Sequence, residues 1–179
     1  RMPGQLGIYL GLTGARVTGA DAVHAGLATH FTPREALPDL SAALARDGVA
    51  ALAAHARPLP PFSLAGHLPM IDECFSAPTV AEILRRLEAS DADWAKAAVK
   101  AMRHVSPSSL HWTLKALRRG RDLTLKQALD AEFALTRTTM AHPDFAEGVR
   151  AMVVDKDRNP AWKPNRIEDV DPSAIDALF

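Results

Sequence analysis

The feature that most constrains the fold is one extended segment in a chain that is otherwise helical in pattern. Residues Leu27 to Thr32, ended by Pro33, are typical of a short strand. No other part of the sequence predicts one. A lone strand leaves N–H and C=O groups unpaired along both edges, and one strand cannot make a sheet. We therefore expect its hydrogen-bond partners to come from outside this chain, as part of a larger α/β protein.

Helix starts are marked repeatedly along the rest of the chain. Capping boxes, in which a threonine precedes an acidic residue or glutamine by three positions, occur at Thr18–Asp21, Thr79–Glu82 and Thr124–Gln127. Further starts are predicted at Ser90–Asp93, Ser106–Pro107, Pro143 and Asp171–Pro172. About eight helices and one strand result. The predicted fold class is mainly α, the helical portion of an α/β fold.

Composition shifts divide the chain into three parts. Residues 1–57 contain the strand and helices, with breaks predicted near Pro38 and Gly48. Residues 58–78 form a proline-rich linker and a short helix. Residues 79–179 form a C-terminal helical region, and there Leu125, Leu129 and Phe133 are predicted to face inward on one helix.

Charge and cysteine content exclude several classes of protein. Lys plus Arg and Asp plus Glu number 21 each, so the zero net charge argues against nucleic-acid binding. The single cysteine, Cys74, excludes an internal disulfide or a cysteine metal cage, and we interpret it as a small buried hydrophobe. No apolar run is long enough to span a membrane, and no signal peptide is visible. A cytoplasmic location is expected.

The chain opens directly on a helical pattern after Arg1. From this start we expect that it was cut or designed out of something longer.

Residues with catalytic potential are present but do not form a known catalytic pattern. The seven histidines lack metal-ligand spacing, and no G-x-S-x-G or phosphate-binding glycine loop occurs. We interpret His24 as a structural partner of Asp21, and His30 as facing the sheet interior. Glu132 lies beside an apolar stripe, either as an exposed flank residue or as a functional carboxylate. No catalytic residue and no metal ligand is assigned.

Two charged runs allow alternative interpretations. The cations Lys115, Arg118, Arg119 and Arg121 either complement a helix C-terminus that ends at Gly120 or bind phosphates. The run 155–158, Asp-Lys-Asp-Arg, is typical of a solvated surface.

Two longer stretches resemble a known family. The stretch 5–31, QLGIYLGLTGARVTGADAVHAGLATHF, resembles the enoyl-CoA hydratase/isomerase (crotonase) superfamily. Its ending GLATHF, together with DFAEGVRA at 144–151 and DKDRNPAW at 155–162, is similar to the 3-hydroxyisobutyryl-CoA hydrolase branch. The resemblance covers essentially the whole chain, which then looks like the C-terminal helical portion of a crotonase-like α/β fold.

The resemblance implies an acyl-CoA enzyme whose chemistry is carried elsewhere. In such enzymes two backbone amides form an oxyanion hole and a glutamate, joined by an aspartate in the hydrolase branch, moves protons. Those residues belong to a segment that should precede Arg1, so we expect this chain alone to be inactive. By resemblance, Met152 and Lys156 approximately match an apolar contact and a lysine near the CoA nucleotide, in a register that differs by about one residue.

The same resemblance implies a substrate and partners. The expected reaction is thioester hydrolysis in valine catabolism, with acyl-CoA as substrate and no separate cofactor, because CoA is part of the substrate. The expected partners are the missing N-terminal half and further copies in a homo-oligomer. Two alternatives stay open: an enoyl-CoA hydratase/isomerase, and a stand-alone helical interaction module.

Overall fold

Helices account for nearly all of the regular structure. The computed structural model describes residues 2–179. The α-helices within that range are α1 (Leu6–Thr13), α2 (Gly19–His24), α3 (Leu37–Asp47), α4 (Ala51–His55), α5 (Leu68–Phe75), α6 (Val80–Glu88), α7 (Asp93–His104), α8 (Pro107–Gly120), α9 (Leu125–Ala141), α10 (Pro143–Val149) and α11 (Pro172–Asp176). The count of eleven exceeds the eight predicted, because several short helices follow loops without a strong capping signal.

Side-chain caps set many of the helix boundaries. The Thr18 and Thr124 capping boxes form with both reciprocal bonds, as predicted. The Thr79 hydroxyl accepts from the Glu82 amide, but the Glu82 carboxylate binds arginines instead of completing a box. The helix start predicted at Ser90–Asp93 is confirmed, since α7 begins at Asp93, but its N-cap residue is Ala92 and no side chain caps it.

A five-helix core gives the molecule its stability. Helix α1 packs against α5, α7 and α8, while α6 packs against α5, α7 and α8. Phe75 is fully buried and meets the Tyr9 ring edge-on, with ring centroids 5.4 Å apart. Burial of one such side chain contributes about 2–3 kcal/mol. Cys74 is buried, as predicted.

The N-terminus of α1 is held by a carboxylate from α5. Gln5 donates its backbone N–H to Asp72 Oδ1 at 2.7 Å, which satisfies one of the unpaired donors of the first helical turn. Gly4 makes this approach possible because its φ is +53°, and because a Cβ there would lie 2.2 Å from the same oxygen.

The segment Leu27 to Thr32 is not a strand, which corrects the sequence prediction. It has neither helical nor strand structure, and the described residues contain no strand that could pair with it. Gly26, at φ +77°, ends α2, and the Leu27 amide donates back to the Ala22 carbonyl at 2.8 Å. Farther along, the Phe31 carbonyl accepts from the Arg57 amide at 2.9 Å. A strand forms only beside another strand, and residues 2–179 supply none.

The proline-rich stretch packs against α2 through Asp21. Both Asp21 oxygens accept from Ser63, from its amide at 2.9 Å and from its hydroxyl at 2.8 Å. These bonds and those from Thr18 lower the Asp21 pKa to about 2. His24 bonds the Pro60 carbonyl at 2.9 Å, so the predicted Asp21–His24 pair does not form. The three-part division of the chain stays a prediction.

Helix α9 exposes the apolar face that was predicted to be buried. Leu125, Leu129 and Phe133 are 77%, 57% and 69% exposed, and α9 has no buried residue. The periodicity correctly marks an apolar stripe, but it cannot say what covers that stripe. In the part of the chain that the structure describes, nothing does.

The hydropathy of the helices shows whether one of them could cross a membrane. Between residues 2 and 179, no helix combines the length and the apolar character needed to cross a bilayer.

Candidate functional site

The two candidate residues lie together on the segment that follows α10. Helix α10 continues into one turn of π-helix, Arg150–Val154, and then a loop. Met152 is 54% exposed on the π-helical turn, and Lys156 is exposed at the start of the loop. Single π-helical turns are frequent at functional sites. We call residues 150–159 the cation turn.

A buried carboxylate fixes the base of this segment. Asp144 is 5% exposed and accepts from the Ser106 hydroxyl at 2.5 Å and from the Lys163 amide at 2.8 Å. Its own amide donates to His142 Nδ1 at 3.2 Å. His142 both ends α9 and caps α10, without a linker between the two helices. The segment is therefore tied to the start of α8.

Trp162 ties the far end of the segment to α7. Its indole Nε1 donates to the His104 carbonyl at 3.0 Å, and its ring covers Gly148. A Cβ on Gly148 would lie 3.3 Å from that ring, so close packing of the loop onto α10 needs a small residue there.

Arg150 organises the cation turn from within. Its Nε and Nη2 donate to the two Glu147 oxygens at 2.8 and 2.7 Å, and its Nη1 donates to Asp155 and Asp157 at 2.6 Å each. Nη2 also donates to the Asn159 carbonyl at 3.2 Å. This planar fork suits several oxygens at once.

The network shifts the pKa values of its members in the expected directions. The Arg150 guanidinium lowers the pKa of Glu147 to about 2 and lowers that of Asp157, while the carboxylates raise the Arg150 pKa. These three groups therefore stay charged at neutral pH.

Lys156 and Arg158 have left-handed backbones in the same turn. Their φ values are +57° and +55°, and a non-glycine residue in that region costs about 1–3 kcal/mol. Both side chains are exposed, and within residues 2–179 neither makes an ion pair. All four residues of the run are exposed, as its alternating charges predict, and its two acidic residues also bind Arg150.

Three of the four cations of the basic run, Lys115, Arg118 and Arg119, are engaged in structural contacts. Arg118 donates to the Ala77 and Pro78 carbonyls, Arg119 to the Phe179 carbonyl, and Lys115 pairs with Asp176. These contacts fasten the loop before α6 and the C-terminal residues to α8. For these three cations the contacts do not favour the phosphate interpretation.

A groove of about 720 Å³ runs between the start of α1, the end of α8 and the inner face of α9. Ile8 and Leu117 line one side, and Ala128 and Leu135 line the other. Glu132 lies at its edge and is exposed, as the flank interpretation predicts. The groove combines these apolar residues with charged ones at the end of α8, among them Arg118, Arg119 and Arg121.

The remaining candidates are structural. No group of three or more His, Cys, Asp or Glu that could hold a metal ion occurs among residues 2–179. His30 is exposed and bonds the adjacent Thr29 hydroxyl, so its predicted place inside a sheet is wrong.

Sequence reasoning missed the Arg150 network and the Asp144–Ser106 bond. A signal for the first was present: Arg150 has acidic residues three positions before it and five and seven positions after it. No local signal links Ser106 to Asp144, which are 38 positions apart.

Comparison with known proteins gives matches along the whole chain. The family model described as enoyl-CoA hydratase/isomerase matches residues 1–179. The chain is 40% identical over 196 residues to 3-hydroxyisobutyryl-CoA hydrolase 1 of Arabidopsis thaliana, covering 52% of that protein. It is 36% identical over 191 residues to the mitochondrial 3-hydroxyisobutyryl-CoA hydrolase of Xenopus tropicalis, covering 50% of it. The chain spans about half the length of the curated relatives it matches.

Solved structures agree in fold. A carnitinyl-CoA dehydratase from Mycobacterium thermoresistibile superposes with a TM-score of 0.93 at 38% identity, over 100% of this chain and 52% of that one. An enoyl-CoA hydratase from Rhodobacter sphaeroides 2.4.1 gives 0.89 at 41% identity, over 99% of this chain and 52% of that one. The helical arrangement is thus shared with experimentally determined proteins.

Proposed function

The chain belongs to the enoyl-CoA hydratase/isomerase family, and we propose that it forms the C-terminal half of a hydrolase acting on 3-hydroxyisobutyryl-CoA. The observation that carries the proposal is the match over all 179 residues to proteins named 3-hydroxyisobutyryl-CoA hydrolase, at 36–40% identity. The motifs GLATHF and EGVRA…DKDRNPAW support the same branch.

In this proposal the reacting groups belong to the other half of the protein. The two buried carboxylates among the described residues, Asp21 and Asp144, are each held by structural hydrogen bonds. A general acid or base must be able to reach a substrate proton, and these two groups face their own chain. We therefore expect no turnover from this polypeptide alone.

The exposed apolar residues indicate that another polypeptide packs against this chain. Besides the outer face of α9, large hydrophobic side chains are exposed on α10 and the turn after it: Phe145, Val149, Met152, Val153 and Val154. Exposed apolar patches of this kind mark interaction surfaces. We propose that the catalytic half, or a further copy in a homo-oligomer, packs there.

Met152 and Lys156 are the residues that we propose for contact with CoA. Lys156 offers a cation for a phosphate, and Met152 offers an adaptable apolar contact one turn earlier. No cofactor is proposed, because CoA arrives as part of the substrate. The cytoplasmic location stays a prediction, and the name of the Xenopus relative includes the word mitochondrial.

Reconstitution from two halves tests the proposal. The 179-residue chain is produced alone and together with the complementary half of the Arabidopsis relative, and free thiol released from 3-hydroxyisobutyryl-CoA is followed with a thiol reagent. We expect release only from the combined halves. Thiol release by the chain alone would contradict the proposal that the reacting groups belong to the other half. A pair of halves that associates correctly but is inactive would contradict the hydrolase assignment.

A hydratase is the second candidate, favoured by the solved Rhodobacter structure named as an enoyl-CoA hydratase at 41% identity. Crotonyl-CoA supplied to the same reconstituted pair separates the two reactions. Loss of its enoyl absorbance without thiol release would support the hydratase. Failure of the halves to associate at all would favour a stand-alone helical module.

A further inference from the structure

In the cation turn, every N–H group of the Arg150 guanidinium has a hydrogen-bond acceptor. Arg150 has five N–H groups, and five acceptor contacts are present, to Glu147, Asp155, Asp157 and the Asn159 carbonyl. A lysine has three donors on one atom and cannot reach four residues in one plane. The arrangement therefore depends on the shape of arginine as well as on its charge.

The backbone closes around the same residue. The Asp155 amide donates to the Arg150 carbonyl at 2.8 Å, and the Arg158 amide donates to the Ala151 carbonyl at 3.0 Å. Glu147 also accepts from the Ala161 amide at 2.7 Å, so its carboxylate connects the start and the end of the loop. Without the guanidinium, three carboxylates would repel one another across this turn.

The alternation of the run then separates its charges. Asp155 and Asp157 bind inward to Arg150, whereas Lys156 and Arg158, each directly after one of them, have left-handed backbones and exposed side chains. Neutralised acids no longer compete for the neighbouring cations. A strained backbone persists only where the surroundings hold it in place, and the Arg150 contacts do so.

We propose that Arg150 is a positioning residue that holds the turn in the form that presents Lys156, with Arg158 beside it, to the phosphates of CoA. The inference rests on the proposed function for the role of Lys156. Arg150 itself does not touch the ligand in this proposal, because all its donors are already engaged.

A double-mutant cycle on the 179-residue chain tests the proposal. Calorimetric affinity for CoA is compared with affinity for pantetheine, which lacks the phosphates. We expect Lys156→Gln and Arg150→Gln each to weaken CoA binding about fivefold and to leave pantetheine binding unchanged. Because Arg150 acts through the turn, Arg150→Gln should add little in the Lys156→Gln background.

Two further variants separate shape from charge and binding from folding. Arg150→Lys keeps the charge but loses the fork, and we expect it to bind CoA as weakly as Arg150→Gln. Arg103→Gln removes an arginine from an exposed pair with Glu88 and should bind CoA like the unaltered chain. Thermal unfolding of each variant shows whether the helical core is retained.

The outcomes distinguish this inference from the proposed function. Equal affinity of the unaltered chain for CoA and pantetheine would refute the phosphate site, and the role of Arg150 with it. A loss with Lys156→Gln but none with Arg150→Gln would refute the positioning role alone. Additive losses in the double variant, or full binding by Arg150→Lys, would show a simple charge effect and overturn the inference as well.

Discussion

Replacing Asp21 with asparagine tests how the proline-rich stretch is held. The carboxylate accepts from the Ser63 amide at 2.9 Å, the Ser63 hydroxyl at 2.8 Å and the Thr18 amide at 3.3 Å. These donors lower its pKa from 3.8 to about 2. The difference corresponds to about 2 kcal/mol, which we reduce to about 1–2 kcal/mol because solvent reaches the neighbouring groups.

The sign of the pH dependence follows from the lowered pKa. The stabilisation is present above the unfolded pKa of about 4 and is lost as the pH falls toward 2, since over that range the unfolded state binds a proton that the folded state does not. Urea unfolding between about pH 7 and pH 2.5 measures it. We expect Asp21→Asn to be less stable at pH 7 by about 1–2 kcal/mol and to approach the unaltered chain at low pH.

A matched control separates this effect from the general loss of stability in acid. Asp39→Asn changes an exposed aspartate in the first turn of α3 and should follow the unaltered chain throughout. If Asp21→Asn and the unaltered chain lose stability in parallel over the whole range, the reasoning from these hydrogen bonds is wrong.

Two further predictions concern contacts between helices. Gly4→Ala should destabilise the chain by about 1–3 kcal/mol, because alanine disfavours a φ of +53° and its Cβ would displace the Asp72 carboxylate; an unchanged urea midpoint would contradict this. Ser106→Ala removes both the cap of α8 and a bond to buried Asp144, so a loss of about 2–3 kcal/mol is expected in thermal unfolding. Thr79→Ala, a cap without a buried partner, serves as its comparison at about 1 kcal/mol, and equal losses would count against the Asp144 contribution.

The capping residues were predictable because their interactions are local. Thr18 and Thr124 bond groups three positions away, and such contacts depend on nothing outside the turn that contains them. The break predicted near Pro38 is confirmed, because a 3₁₀ turn ends at Ala36 and α3 begins at Leu37, with Pro38 in a first turn that does not use its missing N–H. Helix starts, in short, can be read from a few adjacent residues.

Burial and pairing were not predictable to the same degree. The α9 stripe is apolar in the sequence, but its exposure depends on what else is present to cover it. The prediction of a strand at Leu27 to Thr32 was wrong for a related reason, because a strand forms only when another strand pairs with it. Met152 and Lys156 were predicted only from the resemblance to a known family. The Arg150 contacts that surround them are visible only in the three-dimensional structure.

The double role of His142 has a mechanical consequence. His142 ends α9 and starts α10, and Asp144 binds this corner to the start of α8. The two helices are therefore joined at a corner with no flexible linker between them. A body that pressed on the outer face of α9 would tilt α10 as well and would carry Lys156 along. Packing of another body on α9 would then change the position of Lys156 through the corner at His142.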